Sequence, residues 1–365
     1  MYFTAETLAA NSRLRAHWGE LWANRDIFNT QHNLMVNAYR SGMTPEMLAA
    51  NAVGGFTREF WAEIDRQVIQ MRDQEVGMEI INDLMAVQTV LSIGKTAKLY
   101  TVAGDIADDV SVSIDGQAPY SFDHTDYDSD GDPIPVYTAG YGVNWRHAAG
   151  LSSVGIDAAL DAQSAKMRKF HKRRVKGYLD GNATVSVDGL KSQGIRTHRN
   201  TAKINLGSGA GGVNINLTTA TPAQLLAFFG PTGAFGLTAR ANKVTVYDVL
   251  WVSDEIWANM AKPYLIEVGG GTNAMVSGTV LDAISKFIPA KEIKPTYALT
   301  GNEFFAYQRR QDVITPLVGM AVGVVPLPRL MPQSNYNFQI MSAEGLQIKK
   351  DGEGLSGVVY GANLA

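Results

Sequence analysis

Between Ser152 and Asn182 the sequence SSVGIDAALDAQSAKMRKFHKRRVKGYLDGN reads as one long helix with two unlike faces, and this rod constrains the chain more than any other feature. Ser152 or Ser153 is placed to accept a backbone N–H as N-cap, and Asp157 and Asp161 lie near the positive end. Lys172 to Lys176 crowd the negative end, and Gly181-Asn182 supplies the stop. At 100° per residue Ile156, Ala159, Leu160, Met167, Phe170 and Tyr178 share one face, interrupted only by Gln163 and Arg174. Arg168, Lys169, Lys172, Arg173 and Lys176 share the opposite one. About 27 residues at ~1.5 Å each make a rod of about 40 Å, longer than a small domain needs to cover its own core and suited to an extended or assembling subunit. An ordinary surface helix with a solvated charged face would show the same pattern.

The basic helix has an acidic counterpart. From Leu99 to Trp145 there is no Lys or Arg, but there are nine aspartates: Asp105, Asp108, Asp109, Asp115, Asp123, Asp126, Asp128, Asp130 and Asp132. VSVSID before Gly116 and PVYTAGYGVNW after Ile134 alternate like two strands, predicting a long β-hairpin with an Asp-rich tip region. A two-stranded ribbon is marginal alone and needs a partner surface.

Elsewhere the pattern is mixed. Residues 4–24, 44–51 and 57–75 read as helices, and Trp18, Trp22, Phe28, Phe56, Phe60 and Trp61 are many large apolar groups for scattered helices, so they are expected to bury against other parts of the chain or a neighbour. A small bundle packing internally is the plainer account. After the long helix come TVSVDGL and GIRTHRNTAKINLG as strands and turns, and TPAQLLAFFG as a helix capped by Thr221 with Pro222 at its first position. KVTVYDVLWV reads as a buried strand, SDEIWANMAK as a helix capped by Ser253, and VLDAISKFI as a further helix. The C-terminal third reads as strands and hairpins, the last turning at Asp351-Gly352. Helices interleaved with a mixed sheet make the fold class α+β.

Several function classes are disfavoured. The 365 residues carry a net charge of −3, which argues against a dedicated nucleic-acid binder. Without cysteine there is no disulfide framework, no thiolate zinc site and no cysteine nucleophile. The N-terminus has no signal-peptide pattern and no apolar run approaches the ~20 residues that span a bilayer, so neither signal-peptide secretion nor membrane embedding is expected. Asp126-Tyr127-Asp128-Ser129-Asp130-Gly131-Asp132 matches the opening of a calcium loop, but Tyr137 occupies the twelfth position where a bidentate Glu belongs, so an acidic turn is preferred to a metal site. Gly207-x-Gly209-x-Gly211-Gly212 has the spacing of a phosphate-cradling turn, yet Val213 to Leu217 favours a strand over the helix whose N-terminus would hold the phosphate. The six histidines, His17, His32, His124, His147, His171 and His198, are scattered without metal-ligand spacing. No cofactor, metal or catalytic residue is expected, and the chain is not expected to be an enzyme.

The helical N-terminal part, hairpin excursion, long basic helix, Gly194-Ile195-Arg196-Thr197-His198-Arg199-Asn200 segment, helix-rich insert and returning C-terminal strands resemble, in that order, the tailed-bacteriophage major capsid proteins of the HK97-type fold. The resemblance implies a helical N-terminal arm over 1–90, an extended loop over 91–148, and a peripheral domain with its spine helix over 149–220. It further implies an axial domain over 221–334 and strands returning to the peripheral domain over 335–365. A loop that donates a lysine for an isopeptide crosslink is not implied, because Leu99–Trp145 has none. The implied function is a virion shell subunit, assembled in the host cytoplasm, that forms pentamers and hexamers of an icosahedral capsid around double-stranded DNA. Scaffolding, portal and decoration proteins would be its partners. The expected inter-subunit contacts set Asp123, Asp126, Asp128, Asp130 and Asp132 against Arg168, Lys169, Lys172, Arg173 and Lys176 of a neighbour. The basic face is alternatively a non-specific phosphate surface for packaged DNA. An encapsulin-like nanocompartment shell, or a soluble α+β enzyme using the Gly207–Gly212 loop, are the competing readings.

Overall fold

The computed structural model describes residues 18–19, 22–23, 25–27, 30, 76–103, 127–146, 158–209, 211–267, 274–329, 331 and 333–364. The helices expected over 44–51 and 57–75, the VSVSID strand and the Ser152/Ser153 cap lie outside them. In chain order the elements are α1 (Met78–Leu84), β1 (Thr89–Val90), β2 (Ala97–Ala103), β3 (Tyr127–Pro133), β4 (Val136–Val143), α2 (Ala158–Asp180), β5 (Gly181–Val187), β6 (Leu190–Gln193) and β7 (Ala202–Asn205). There follow α3 (Pro222–Phe229), α4 (Ala234–Ala241), β8 (Tyr247–Ser253), α5 (Asp254–Met260), β9 (Pro263–Glu267), β10 (Ala274–Thr279), α6 (Val280–Ser285), β11 (Ala290–Thr296), β12 (Phe304–Tyr307), β13 (Ile314–Pro326), β14 (Tyr336–Ile348) and β15 (Val358–Ala362). The mixture is α+β, as the sequence pattern predicts.

Local chemistry sets many of these boundaries. Gly181 ends α2 with φ of +74°, and a Cβ there would stand 2.6 Å from the Gln193 backbone, so only glycine fits both the left-handed turn and the close approach. Asp188 and Gly189, at φ of 50° and 82°, form the two-residue link between β5 and β6 with the doubly left-handed geometry that suits hairpin twist. Thr221 and Gln224 form a reciprocal capping box at α3, with Pro222 at the first helical position. Ser253 caps α5 by accepting the Ile256 N–H, as expected.

The chain divides into two compact units, one of Met1–Thr96, Ile134–Tyr178 and Pro316–Gly345, the other of Ala97–Pro133, Leu179–Thr315 and Leu346–Ala365. The first unit holds a four-stranded sheet of order β1-β13-β14-β4. Its β4 pairs antiparallel with β14 from Val136↔Ala343 to Val143↔Tyr336, and β1 runs parallel to β13. Leu91, Ile134, Leu317 and Ala343 form one small core cluster there, and Val90, Val318 and Ala321 another.

The second unit is built on a five-stranded sheet of order β11-β8-β12-β15-β7. Every residue of β12 and β15 is buried, which is why those short strands read as continuous apolar runs. Phe304 lies at the centre of an aromatic cluster, with ring centroids 5.8 Å from Phe228, 6.0 Å from Phe229 and 5.8 Å from Phe235 in edge-on arrangements. The neighbouring Gly361 leaves room for it: a Cβ there would lie 2.3 Å from the ring.

Two sequence expectations are corrected, and one is partly outside the described residues. PVYTAGYGVNW forms β4 and pairs on one edge with β14, while its expected partner VSVSID is not described; β2 pairs with β3 in register from Ala97↔Pro133 to Ala103↔Tyr127. Tyr127–Pro133, taken as an acidic turn, is a strand. The Asp351 turn, closed by the Leu355 carbonyl accepting from Asp351 N–H, links β14 to β15 but makes no hairpin, since β15 joins β12 and β7. For β4 and β15 periodicity gives the strand but not its partner, which is non-local.

Phe304→Ala should destabilise the second unit by about 3–5 kcal/mol, because the ring's packing is lost and a cavity remains. Leu237→Ala, at a half-exposed position, should stay within about 0.5 kcal/mol of the parent. Denaturant titration of both variants tests the pair.

Candidate assembly surface

Helix α2 presents the two faces its sequence dictates. Arg168, Lys169, Lys172, Arg173 and Lys176 are all exposed, while Met167, Phe170, Val175 and Tyr178 are buried. The two polar interruptions of the apolar face are buried as well: Gln163 and Arg174 are 0% exposed, together with His171. Burying a guanidinium needs a partner of opposite charge. Arg174 finds one in Glu344 of β14, with Nη2 2.9 Å from Oε1 and Nε 3.1 Å from Oε2, a two-pronged pair. Tyr178 donates its hydroxyl to the same carboxylate at 3.3 Å, and Arg174 Nη1 donates to His171 Nδ1 at 3.2 Å.

Electrostatics follow from this geometry. Burial pushes the Glu344 carboxyl up, but Arg174 overrides it and the group sits below its ordinary range. Burial, reinforced by Arg174, lowers His171 to about 3, so the ring is neutral with Nδ1 as acceptor. Burial and then the Glu344 charge raise Tyr178 well above 10 and Tyr137 to about 12. His171, one of the scattered histidines of the sequence, is thus part of a buried network. The break in the apolar face at Arg174 was the available signal; nothing pointed to Glu344, 170 positions away.

The second charged arrangement lies on the ribbon. Strand periodicity puts Asp130 and Asp132 on one face of β3, about 7 Å apart, so they do not wrap an ion as a loop would. The Arg199 guanidinium meets this row: Nη2 is 2.6 Å from Asp130 Oδ1 and 3.2 Å from Asp132 Oδ1, and Nε is 3.1 Å from Asp130 Oδ2. His198, fully buried, lies with Nε2 3.1 Å from Asp132 Oδ1. Asn200 N–H donates to His198 Nδ1 at 3.1 Å, which makes Nδ1 the acceptor and Nε2–H the donor to Asp132. Tyr100 completes the cluster by donating to Asp130 Oδ2 and accepting from Asn200 Nδ2, each at 3.1 Å. Burial is the main reason its phenol is raised to about 12. For Asp130, Arg199 outweighs burial and lowers the carboxyl.

The segment Gly194 to Asn200 therefore holds the ribbon, a role its sequence did not disclose. Arg196 in the same turn bridges Asp180 at 2.9 Å and Glu303 at 2.7 Å, and Tyr360 donates to Glu303. Of the expected inter-subunit acids, Asp132 is buried beside His198 and Asp130 is paired within the chain by Arg199. Asp123 and Asp126, and the side chain of Asp128, lie outside the described residues.

The Gly207–Gly212 loop borders a cleft of about 550 Å³ lined by Leu206, Asn214, Asn216 and Leu364. Val213 to Asn216 continue as irregular backbone, with Val213 N–H donating to Asn205 O at 2.9 Å, so no helix begins where a phosphate would need one. No helix among the described residues is long and apolar enough to cross a membrane.

The fold is of the HK97 type. It matches the virus-like particle of Pyrococcus furiosus with a TM-score of 0.53 and 13% identity, covering 83% of this chain and 100% of that one. It matches the capsid of Myoviridae phage XM1 with a TM-score of 0.51 and 14% identity, covering 76% of this chain and 90% of that one. At such identities the likeness is one of fold. Residues 49–361 match the family of unknown function DUF6260, and the chain belongs to that family. No curated protein matches the sequence.

Glu344→Gln should cost about 3–5 kcal/mol by leaving the Arg174 charge buried without its counterion, whereas replacing both Arg174→Met and Glu344→Leu should recover most of that loss. Denaturant midpoints of the unassembled chain decide this. Because His171 titrates near 3 in the folded chain and near 6.5 unfolded, the unfolded state takes up the proton first. Its contribution to stability is complete above about pH 6.5 and is lost as pH falls toward 3, at up to about 1.4 kcal/mol per pH unit. His171→Asn should flatten the acid limb of stability against pH relative to the parent.

Proposed function

We propose that this chain is the major capsid protein of a tailed bacteriophage, a structural subunit that assembles into pentamers and hexamers of an icosahedral shell enclosing double-stranded DNA. The observation that carries the proposal is the fold, which spans 83% of this chain and the whole of a virus-like-particle subunit and recurs in a phage capsid. The charge pattern supports it. Five cations project from one face of α2 with no salt bridge among the described residues. Exposed ion pairs contribute about 0–1 kcal/mol each, so they set register between subunits while buried apolar surface supplies the strength. In this reading the mature location is the virion shell, no reaction is catalysed, and scaffolding, portal and decoration proteins are further partners. The division into arm, extended loop, peripheral and axial regions is part of the proposal.

Electron microscopy of the purified full-length chain, alone and with candidate scaffolding proteins, should show closed polyhedral shells; only small discrete particles under every condition would overturn the reading. Nuclease-protected DNA inside shells isolated from infected cells favours the capsid over a nanocompartment, whose shells would hold protein cargo. Reversing Asp123, Asp126 and Asp128 to lysine should block assembly, as should reversing Arg168, Lys172 and Arg173 to glutamate. The two sets combined should restore shells if these groups meet across subunits; no rescue removes that contact from the proposal.

A further inference from the structure

Among the described residues the four-stranded sheet of the first unit ends on one side at β4, and this edge lacks the usual protection against another strand. Natural edges are guarded by charge, proline, bulges or brevity. Edge strand β11 of the other sheet follows that rule with Lys291, Glu292, Lys294 and Pro295. By contrast β4, Val-Tyr-Thr-Ala-Gly-Tyr-Gly-Val, has no charge and no proline across its 8 residues and pairs with β14 without a register shift. Glu344 N–H donates to Pro135 O, which fixes the phase: Tyr137, Ala139, Tyr141 and Val143 direct their backbone groups toward β14. Val136, Thr138, Gly140 and Gly142 therefore direct theirs away from the sheet, and those four residues are exposed.

We infer that β4 is a docking edge for β4 of a second copy, the two strands pairing antiparallel about a two-fold axis through Ala139. The strand is its own complement in this register. Val136 falls opposite Gly142 and Thr138 opposite Gly140, so each β-branched side chain meets a residue without one. Those pairs are also the ones whose outward N–H and C=O groups exchange hydrogen bonds across the axis. Tyr137 falls opposite Tyr141, an aromatic pair of the kind that stabilises adjacent strands. Ala139 meets its own copy as a non-hydrogen-bonded pair, with Cα atoms about 4.5 Å apart. No side chain of β4 itself is charged, so the paired strands set no like charges directly opposite one another, and a two-fold contact needs just such a self-complementary patch. A ribbon of this length is marginal by itself, so the contact adds to others within an assembly. The inference concerns a self-contact and does not require that the assembly be a DNA-filled shell.

The chain's lack of cysteine makes the test direct. Ala139→Cys should form an intermolecular disulfide on mild oxidation, because paired Cα atoms at about 4.5 Å lie within the range a disulfide spans. The crosslinked dimer is read on a non-reducing gel, both in assembled particles and in concentrated unassembled protein. Adding Thr138→Pro, which deletes only an outward N–H, or Gly140→Lys, where an added Cβ has open space with Phe338 O 3.9 Å away, should reduce that dimer at least tenfold with the circular dichroism spectrum unchanged. Thr184→Cys, on an exposed strand of the other unit, should not crosslink. Absence of the Ala139→Cys dimer in both states overturns the inference. So does an Ala139→Cys, Val112→Cys protein that crosslinks only through the mixed pair, since the edge would then belong to the Val110–Asp115 segment. If shells never form yet the dimer does, the self-contact stands and the capsid reading falls.

Discussion

One buried ion pair governs how the long helix can be used. Arg174 lies within the densest run of cations in the chain, yet it alone among Arg173, Arg174 and Lys176 turns inward, to Glu344 on β14. Rotating α2 by a single position would bury Arg173 or expose Arg174 and leave Glu344 as an uncompensated charge, at a cost of several kcal/mol. The pair therefore fixes the helix about its own axis. That rotation presents Arg168, Lys169, Lys172, Arg173 and Lys176 as one outward stripe. A hydrophobic stripe of Met167, Phe170 and Tyr178 would tolerate some sliding, but a two-pronged guanidinium pair does not. Tyr178 and His171 close around it by taking the remaining hydrogen-bonding positions.

What was legible in the sequence is what depends on neighbours a few residues away. The Thr221 cap with Pro222 behind it, the Ser253 cap, the glycine that ends α2 and the faces of α2 are all decided by spacing, and all appear as expected. The partners of strands and charges are decided by the fold. β4 was recognisable as a strand from its alternation, but its place beside Tyr336–Ala343 depends on a strand some 200 residues on. Asp130 and Asp132 read as solvated acids because their spacing is that of an acidic turn; they are instead held by Arg199 and His198, which carry no local mark of that role. The Gly194–Asn200 turn shows the same limit. Its residues are singled out by a family resemblance, but their partners are set by the fold: Arg196 takes Asp180 and Glu303, while His198 and Arg199 share Asp132.

These satisfied groups bear on the balance between folding and assembly. A charge paired inside the chain is no longer available to a neighbour, so the acidity of the ribbon overstates what it offers outward. The stripe on α2 is different, because its cations cannot be neutralised from the same helix face and gain little from solvent-exposed local pairs. Segregating satisfied from unsatisfied charge in this way lets a subunit fold without its neighbours while retaining a preference in how it meets them.

A closed shell built from many copies needs contacts that are individually weak, since a misplaced subunit must be able to leave before the shell closes around the error. Exposed ion pairs meet that requirement through their small and salt-screened energies. An open strand edge meets it in another way: its hydrogen bonds replace bonds to water at a modest net gain of about 1 kcal/mol each, but only in one register and one direction. The glycines of β4 make the edge narrow where a β-branched residue must fit, so geometry rather than affinity would select the correct approach. The same property explains why the edge is left uncharged, since a lysine there would protect a solitary protein at the expense of the contact.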